Sequence, residues 1–416
     1  MDEQVVVLPQ ILAWLSKSVL EPAVQPYIEH LIARGYARST AHVYVCCAAH
    51  FAYWISNRHL DLDQIDDTTV WLFLDQHLPK CKCPEPVRRC RYELRAALKQ
   101  FLAVLRSTHL ILSRAIPVGF IEDELQQFES HLDGDCGLAS STRGQRVRIV
   151  RRFLKSSFGN SPIAVARLKT QAIHRFVING LKGCKPNTGG VIGVALRSYL
   201  RYRALQGDKV QALVAAVPTV AAWRLSGLPE ILSAEELERF LNVFDRRSVS
   251  GQRGYAMARC LTDLGLRAHE VVRIQLDDLN WHEGTLRLSK SKSRRVDVLP
   301  LPVLTGRAIA DYIKLGRPKT HNRALFVRLT APQEEPIDTG CVHRTVREAF
   351  ARSGLNRSGT HLLRHCVAGQ LLQAGSSLKQ IADILRHRSI DTTAIYTKID
   401  LHRLSAVAMP WPGSKA

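Results

Sequence analysis

Gly359-Thr-His361-Leu-Leu-Arg364, then Leu385-Arg-His387, then Ala394-Ile-Tyr396 is the stretch that decides the reading of this chain. Between Gly359 and Gly375 the apolar residues Leu362, Leu363, Val367, Leu371 and Leu372 form a helical stripe, with Gly375 as its C-cap. His361 and Arg364 are therefore i, i+3 neighbours on one face near the helix N-terminus, where the dipole favours a phosphate. A second helix, Leu378 to Arg386, ends at His387. Asp391 to Tyr396 reads as a short helical turn that places the tyrosine just beyond the histidine.

Upstream, Thr262-Asp-Leu-Gly-Leu-Arg267-Ala-His-Glu270 sets an arginine after a Gly-containing turn. Glu270 opens a helix expected to hold Val271, Val272, Ile274 and Leu276. Alternating residues then predict a hairpin, Thr285 to Ser289 and Val296 to Leu301, whose turn carries Lys290, Lys292, Arg294 and Arg295.

In that order, Arg267, a lysine in a β-turn, His361-Leu-Leu-Arg364, His387 and Tyr396 resemble the complete active-site set of the tyrosine recombinases, the phage-integrase family, over about residues 230 to 405. The flanking words Leu264-Gly-Leu-Arg267-Ala-His-Glu270 and Leu385-Arg-His387-Arg-Ser-Ile-Asp-Thr-Thr-Ala-Ile-Tyr396 agree.

The resemblance implies a chemistry these residue types suit. Tyr396 would attack the phosphodiester and store its bond energy in a phosphotyrosyl link. Arg267 and Arg364 would grip the non-bridging oxygens, remaining protonated throughout. Lys292, eight residues before Pro300 as in relatives with a similar hairpin, would protonate the leaving 5′-oxygen, with Lys290 as the alternative. His361 and His387 would bond the phosphate or assist proton transfer, and Glu270 would orient Arg267 or His361. No Gly-rich phosphate loop argues for nucleotide hydrolysis, and no cofactor is called for.

Each piece has an ordinary reading. A lone His-x-x-Arg is usually a solvated basic face, and a lone tyrosine near a C-terminus usually packs. The elements combined, in order and at these spacings, carry the assignment.

Charge points the same way. There are 58 Lys and Arg against 37 Asp and Glu, a net +21, which steers a protein to a phosphate backbone, although it would serve an RNA binder equally. Arg146, Arg148, Arg151 and Arg152, and Arg197, Arg201 and Arg203, fall at helical spacing and read as DNA-facing stripes or as solvated faces. No apolar run is long enough to span a membrane, and no signal peptide follows Met1, so a cytoplasmic protein acting on double-stranded DNA is expected.

The region before the catalytic domain repeats itself. Arg34-Gly-Tyr-Ala-Arg-Ser-Thr40 recurs as Cys136-Gly-Leu-Ala-Ser-Ser-Thr142, each between an amphipathic helix and a second one, followed by a short helix and a longer one. The expected fold is mainly α with a small β component. Residues 1–115 would form a first helical module and 116–213 a second, with 214–229 as linker, 230–405 as the mixed α+β catalytic domain and 406–416 as an apolar tail. Each module resembles the SAM-like core-binding domain of the family. The second would clamp the core site, while the first would contact arm sequences or neighbouring subunits, or serve as scaffold.

Ten cysteines in a cytosolic setting read mostly as reduced thiols. His77, Cys81, Cys83 and Cys90 are the exception as a structural zinc set, against which Cys-x-Cys is tighter than the usual spacer. No catalytic metal is expected. The reading is a site-specific recombinase of a mobile element or phage. The resemblance implies a homotetramer on paired sites, or an assembly with companion recombinases. The alternatives are a catalytically silent DNA-binding partner and a type IB topoisomerase-like relaxer.

Overall fold

The two copies of the repeated word each join a shorter helix to a nineteen-residue one. After α1 (Pro9–Ser16) come α2 (Val24–Ala33), α3 (Arg38–Ser56), α4 (Asp67–Leu72) and α5 (Arg91–Ser107). The same order follows in α6 (Phe120–Gly134), α7 (Ser140–Phe158), α8 (Thr170–Leu181) and α9 (Asn187–Leu205). A 3-10 turn stands after the long helix both times, at Leu62–Gln64 and Val165–Arg167. This is a computed structural model that describes residues 9–111, 119–159, 161–184, 187–219, 229–288, 296–333, 335–387 and 389–399. No helix among the described residues is long and apolar enough to cross a membrane.

The chain divides into two compact units. Of the described residues, one comprises those within 9–24 and 44–219, the other those within 25–43 and 229–399. In the first, Ile121, Leu125, Phe128 and Leu132 of α6 meet Val147, Val150, Phe153 and Leu154 of α7, so spacings of three and four residues build one core. Tyr199 donates to Glu124 at its centre (2.8 Å), and Arg203 pairs with the same carboxylate (2.9 Å), which satisfies a buried acid. This core runs on through α10 (Gln211–Ala215) to Val217, so the stretch expected to begin the linker is packed in its first residues.

The larger segment of the second unit begins with α11 (Ala234–Asn242), capped by Ser233, whose side chain accepts from the Glu236 amide while Glu236 accepts from the Ser233 amide. Then come α12 (Val249–Thr262) and α13 (Ala268–Arg273). The helix expected to reach Leu276 stops at Arg273. Beyond it the backbone pairs with a later segment instead, Leu325 N–H donating to Ile274 O and Leu276 N–H to Arg323 O.

The hairpin forms as β2 (Thr285–Leu288) and β3 (Asp297–Pro300), antiparallel, with Leu286 opposite Leu299. A two-residue strand β1 (Leu279–Asn280) adds to its edge. After α14 (Val303–Asp311), α15 (Thr339–Arg352), α16 (Thr360–Gln373) and α17 (Leu378–Ile384) the chain ends its described part in 3-10 turns, Ile390–Thr392 and Ala394–Ile399. Helices thus dominate around one small sheet. A main core of residues from Leu232 to Cys366 underlies the sheet and α12 to α16, and a second cluster of Val367, Ala368, Leu372, Ile381 and Leu385 encloses Tyr396.

Candidate active site

Four segments bring the site residues together, and backbone carbonyls do much of the holding. Arg364, at the start of the second turn of α16, is buried; it donates through Nη1 to Gly265 O and through Nη2 to Leu385 O. One guanidinium therefore ties the loop before α13 to the end of α17. Gly265 is needed there for two reasons. Its φ is +57°, and a Cβ would lie 2.7 Å from Leu385 Cδ2.

Arg267 stands at the N-cap of α13. Its amide donates to Glu270 Oε2 (2.8 Å) and its Nη1 to Glu270 Oε1 (2.9 Å). The same carboxylate receives Arg386 Nη2 (2.9 Å). Glu270 thus turns to Arg267, as one of its two expected roles has it, and to Arg386. Burial works against its charge, yet Arg386, the Arg267 amide and the Arg267 guanidinium hold its carboxyl below the usual range. Three guanidiniums around one carboxylate leave a surplus of positive charge. Burial, with Arg267 and Arg386 nearby, pulls Arg364 down to about 9, which still leaves it protonated at neutral pH. An anion entering this group relieves that crowding.

The histidines are all disposed to be neutral. Burial, then Arg364 and Arg267, lowers His387 to about 4, and its Nδ1 shares a hydrogen bond with Thr393 Oγ1 (2.7 Å), leaving Nε2 for a ligand. His361 is on the exposed side of α16; partial desolvation and the same two arginines lower it too.

Tyr396 is buried, at 1% exposure, and burial pushes its hydroxyl up to about 12, with Arg364 and Arg267 pulling the other way. Its Oη lies 2.7 Å from His365 Nδ1. Burial, then His361 and Arg364, lower the pKa of His365, which disposes its ring to be neutral; in the tautomer with Nδ1 unprotonated it accepts the hydrogen bond of the Tyr396 hydroxyl.

His365 and Arg386 were not singled out from the sequence. The signal for His365 was a histidine four residues after His361, on the same helical face. Arg386 takes a left-handed conformation, φ 55°, which no spacing rule foretells. Lys290 and Lys292 lie outside the described residues, as do Arg294, Arg295 and the tail after Ile399.

The arginine stripes differ among themselves. Arg151 forms a two-point pair with Glu122 (3.0 and 2.7 Å), Arg146 donates to Ser198 (2.8 Å), and Arg197 donates to Val217 O (2.9 Å). Arg148, Arg152 and Arg201 are exposed. Of the four residues read as a zinc set, His77, Cys81 and Cys83 come together, whereas Cys90 is exposed outside that group and His50 takes its place.

Two arginines, two histidines and a buried tyrosine form a basic cluster whose chemistry suits attack on a phosphodiester. Comparisons with known proteins place the chain in a family. The profile of the Phage integrase family matches residues 230–403. A protein of Sinorhizobium fredii, provisionally named integrase/recombinase y4rA, is 34% identical over 93% of both chains. Tyrosine recombinase XerD of Listeria monocytogenes is 28% identical over 54% of this chain and 76% of its own. Among solved structures, XerH site-specific recombinase bound to its difH substrate matches over 90% of this chain and 97% of its own, with 18% identity and a TM-score of 0.53. A lambda integrase dimer bound to a core site matches over 64% and 95%, with 17% identity and a TM-score of 0.51. The chain belongs to the tyrosine recombinases of the phage-integrase family.

Proposed function

We propose that this chain breaks and rejoins DNA at specific sites, with Tyr396 as the nucleophile that becomes joined to the 3′-phosphate. Arg267 and Arg364 hold the non-bridging oxygens as charge gathers on them, and His361 and His387 donate to the phosphate or pass protons. His365 accepts the proton of the attacking hydroxyl, and Glu270 fixes Arg267 and Arg386. Lys292, or else Lys290, protonates the departing 5′-oxygen.

The observation that carries this reading is the placement of a buried tyrosine hydroxyl 2.7 Å from the His365 imidazole, beside a cluster of guanidiniums with surplus positive charge. A buried tyrosine serving only as packing needs no such charge. Cleavage and religation exchange one phosphoester for another, so the reaction needs no nucleotide. The substrate is duplex DNA, in keeping with the DNA-bound state of the XerH and lambda integrase structures. A homotetramer on paired sites is the assembly we propose, since a lambda integrase tetramer bound to a Holliday junction shares the fold (TM-score 0.51).

The test is trapping on a nicked suicide duplex carrying element-end sequence. Wild-type chain should yield a covalent adduct on a denaturing gel and Tyr396→Phe none. An adduct that persists in Tyr396→Phe removes the assignment, and a wild type that binds the duplex without any adduct points to a silent partner.

A further inference from the structure

We propose that His50, His77, Cys81 and Cys83 bind a structural zinc ion in the N-terminal helical region. One ligand atom from each lies within 4.8 Å of every other. Among these pairs, Cys81 Sγ is 3.3 Å from His50 Nε2 and Cys83 Sγ is 3.4 Å from His77 Nε2. A tetrahedral zinc with sulfur at about 2.3 Å and nitrogen at about 2.0–2.1 Å sets a sulfur–nitrogen edge of roughly 3.5 Å. Two sulfur–nitrogen edges therefore stand near those of a zinc tetrahedron, and the remaining separations are within 4.8 Å.

The surroundings fit the same ion. His50 is fully buried on α3, and its Nδ1 is 2.8 Å from Arg88 O. A carbonyl can only accept, so Nδ1 carries the proton and Nε2 presents its lone pair to the cluster, the tautomer a metal-bound histidine needs. Phe73 meets the His50 ring edge-on (5.0 Å between centroids) and stacks on His77 (5.4 Å), fixing both planes. His77 closes a π-helical turn, Phe73–His77, an irregularity that interrupts the helix begun by α4 and is common at functional sites. Cys81 and Cys83 then follow within six residues, so a single Cys-x-Cys loop supplies both sulfurs while α3 supplies the distant ligand. All four residues lie in one compact unit.

Sequence spacing nominated Cys90 as the fourth ligand because it is close in the chain. In space that position belongs to His50, which is thirty-one residues before Cys81. Zinc here joins α3 to the segment after α4 and so adds to the apolar packing and the His50–Arg88 hydrogen bond that already link those elements. The active-site chemistry does not use it.

The test is elemental analysis of the full-length chain purified in zinc-containing medium, with cobalt(II) as a spectroscopic substitute. One zinc per chain is expected, retained in Cys90→Ser, lost in the Cys81→Ser/Cys83→Ser double variant, with a fall in melting temperature when chelator strips the wild type. Cobalt(II) should give intense tetrahedral absorption and a thiolate-to-metal band that weakens in Cys83→Ser. A folded wild type with no bound zinc overturns the proposal, as does zinc that survives the double substitution or departs with Cys90. If the double variant does not fold, the wild-type cobalt spectrum decides: no thiolate band means no such site.

Discussion

His365 Nδ1 and Tyr396 Oη are 2.7 Å apart, with the imidazole in edge contact with the phenol ring. Because His365 directly follows Arg364 in α16, one helix turn carries both the guanidinium proposed to grip the phosphate and the imidazole that meets the proposed nucleophile. His365→Ala should slow single-turnover cleavage about tenfold to a hundredfold while leaving DNA affinity unchanged. His365→Asn, which can still accept the hydroxyl hydrogen bond, should recover part of the rate. The acid limb of the wild-type pH profile should weaken in both. Equal rates for all three proteins would assign His365 to packing.

Among the described residues, Glu270 is the carboxylate that pairs with both Arg267 and Arg386, so its loss exposes their mutual repulsion. Both Glu270 and Arg386 are nearly buried, with side chains at 9% and 8% exposure. Glu270→Ala should destabilise the chain by about 3 kcal/mol, the cost of leaving a buried charge unpaired, and should lower cleavage further by releasing Arg267. Glu270→Gln should retain more of both. Chemical denaturation alongside suicide-substrate cleavage measures the two effects separately.

Gly265 offers a contrast with Gly354. Both have positive φ, +57° and +70°, but only Gly265 has a neighbour where a Cβ would go. Gly354→Ala should cost about 1 kcal/mol through backbone strain alone. Gly265→Ala should cost more and also lower the cleavage rate, because its carbonyl holds Arg364. If the two alanines cut the cleavage rate alike, the carbonyl does not position Arg364.

The helices around the site were legible because their apolar spacing, caps and glycine stops agree. α16 and α17 begin and end close to where Gly359, Gly375 and Leu378 place them. The hairpin was legible from alternation, β2 and β3 pairing within the two expected stretches. The end of α13 was not, since Val271, Val272, Ile274 and Leu276 suit either a helix or a turn, and long-range pairing to Arg323 and Leu325 chose the turn. His361, Arg364, His387 and Tyr396 could be read from order and spacing. The partners that hold them, Gly265 O, Leu385 O, Thr393 and Arg386, lie across tertiary contacts that no local pattern encodes. The same holds for His50.

Acid should weaken the folded state through His387. Its pKa is about 4 in the folded chain against 6.5 for an ordinary histidine. The unfolded chain therefore binds more protons between those values, and stability falls as pH falls through that window. The effect should be on the order of 1 kcal/mol after allowance for the partial exposure of the ring. Thermal unfolding of wild type and His387→Gln between pH 7 and pH 4.5 isolates it as the difference in slope. Bound DNA should reduce that slope, because a phosphate beside the ring favours its charged form. A variant with the wild-type slope would place the His387 titration elsewhere.

Arg148 and Arg152 on α7 are exposed one turn apart, whereas Arg151 between them is paired with Glu122. If α7 lies along DNA, Arg148→Ala and Arg152→Ala should each weaken duplex binding and reduce the dependence of log affinity on log salt by about one, with melting temperature unchanged. Arg151→Ala should do the reverse, lowering stability by about 1 kcal/mol or less for a partly exposed pair, with little change in the salt slope. Fluorescence anisotropy across a salt series, paired with thermal melts of the same proteins, separates a DNA-facing arginine from one that braces its own module. A salt slope that drops with Arg151 and not with its neighbours would turn the other face of α7 toward the phosphates.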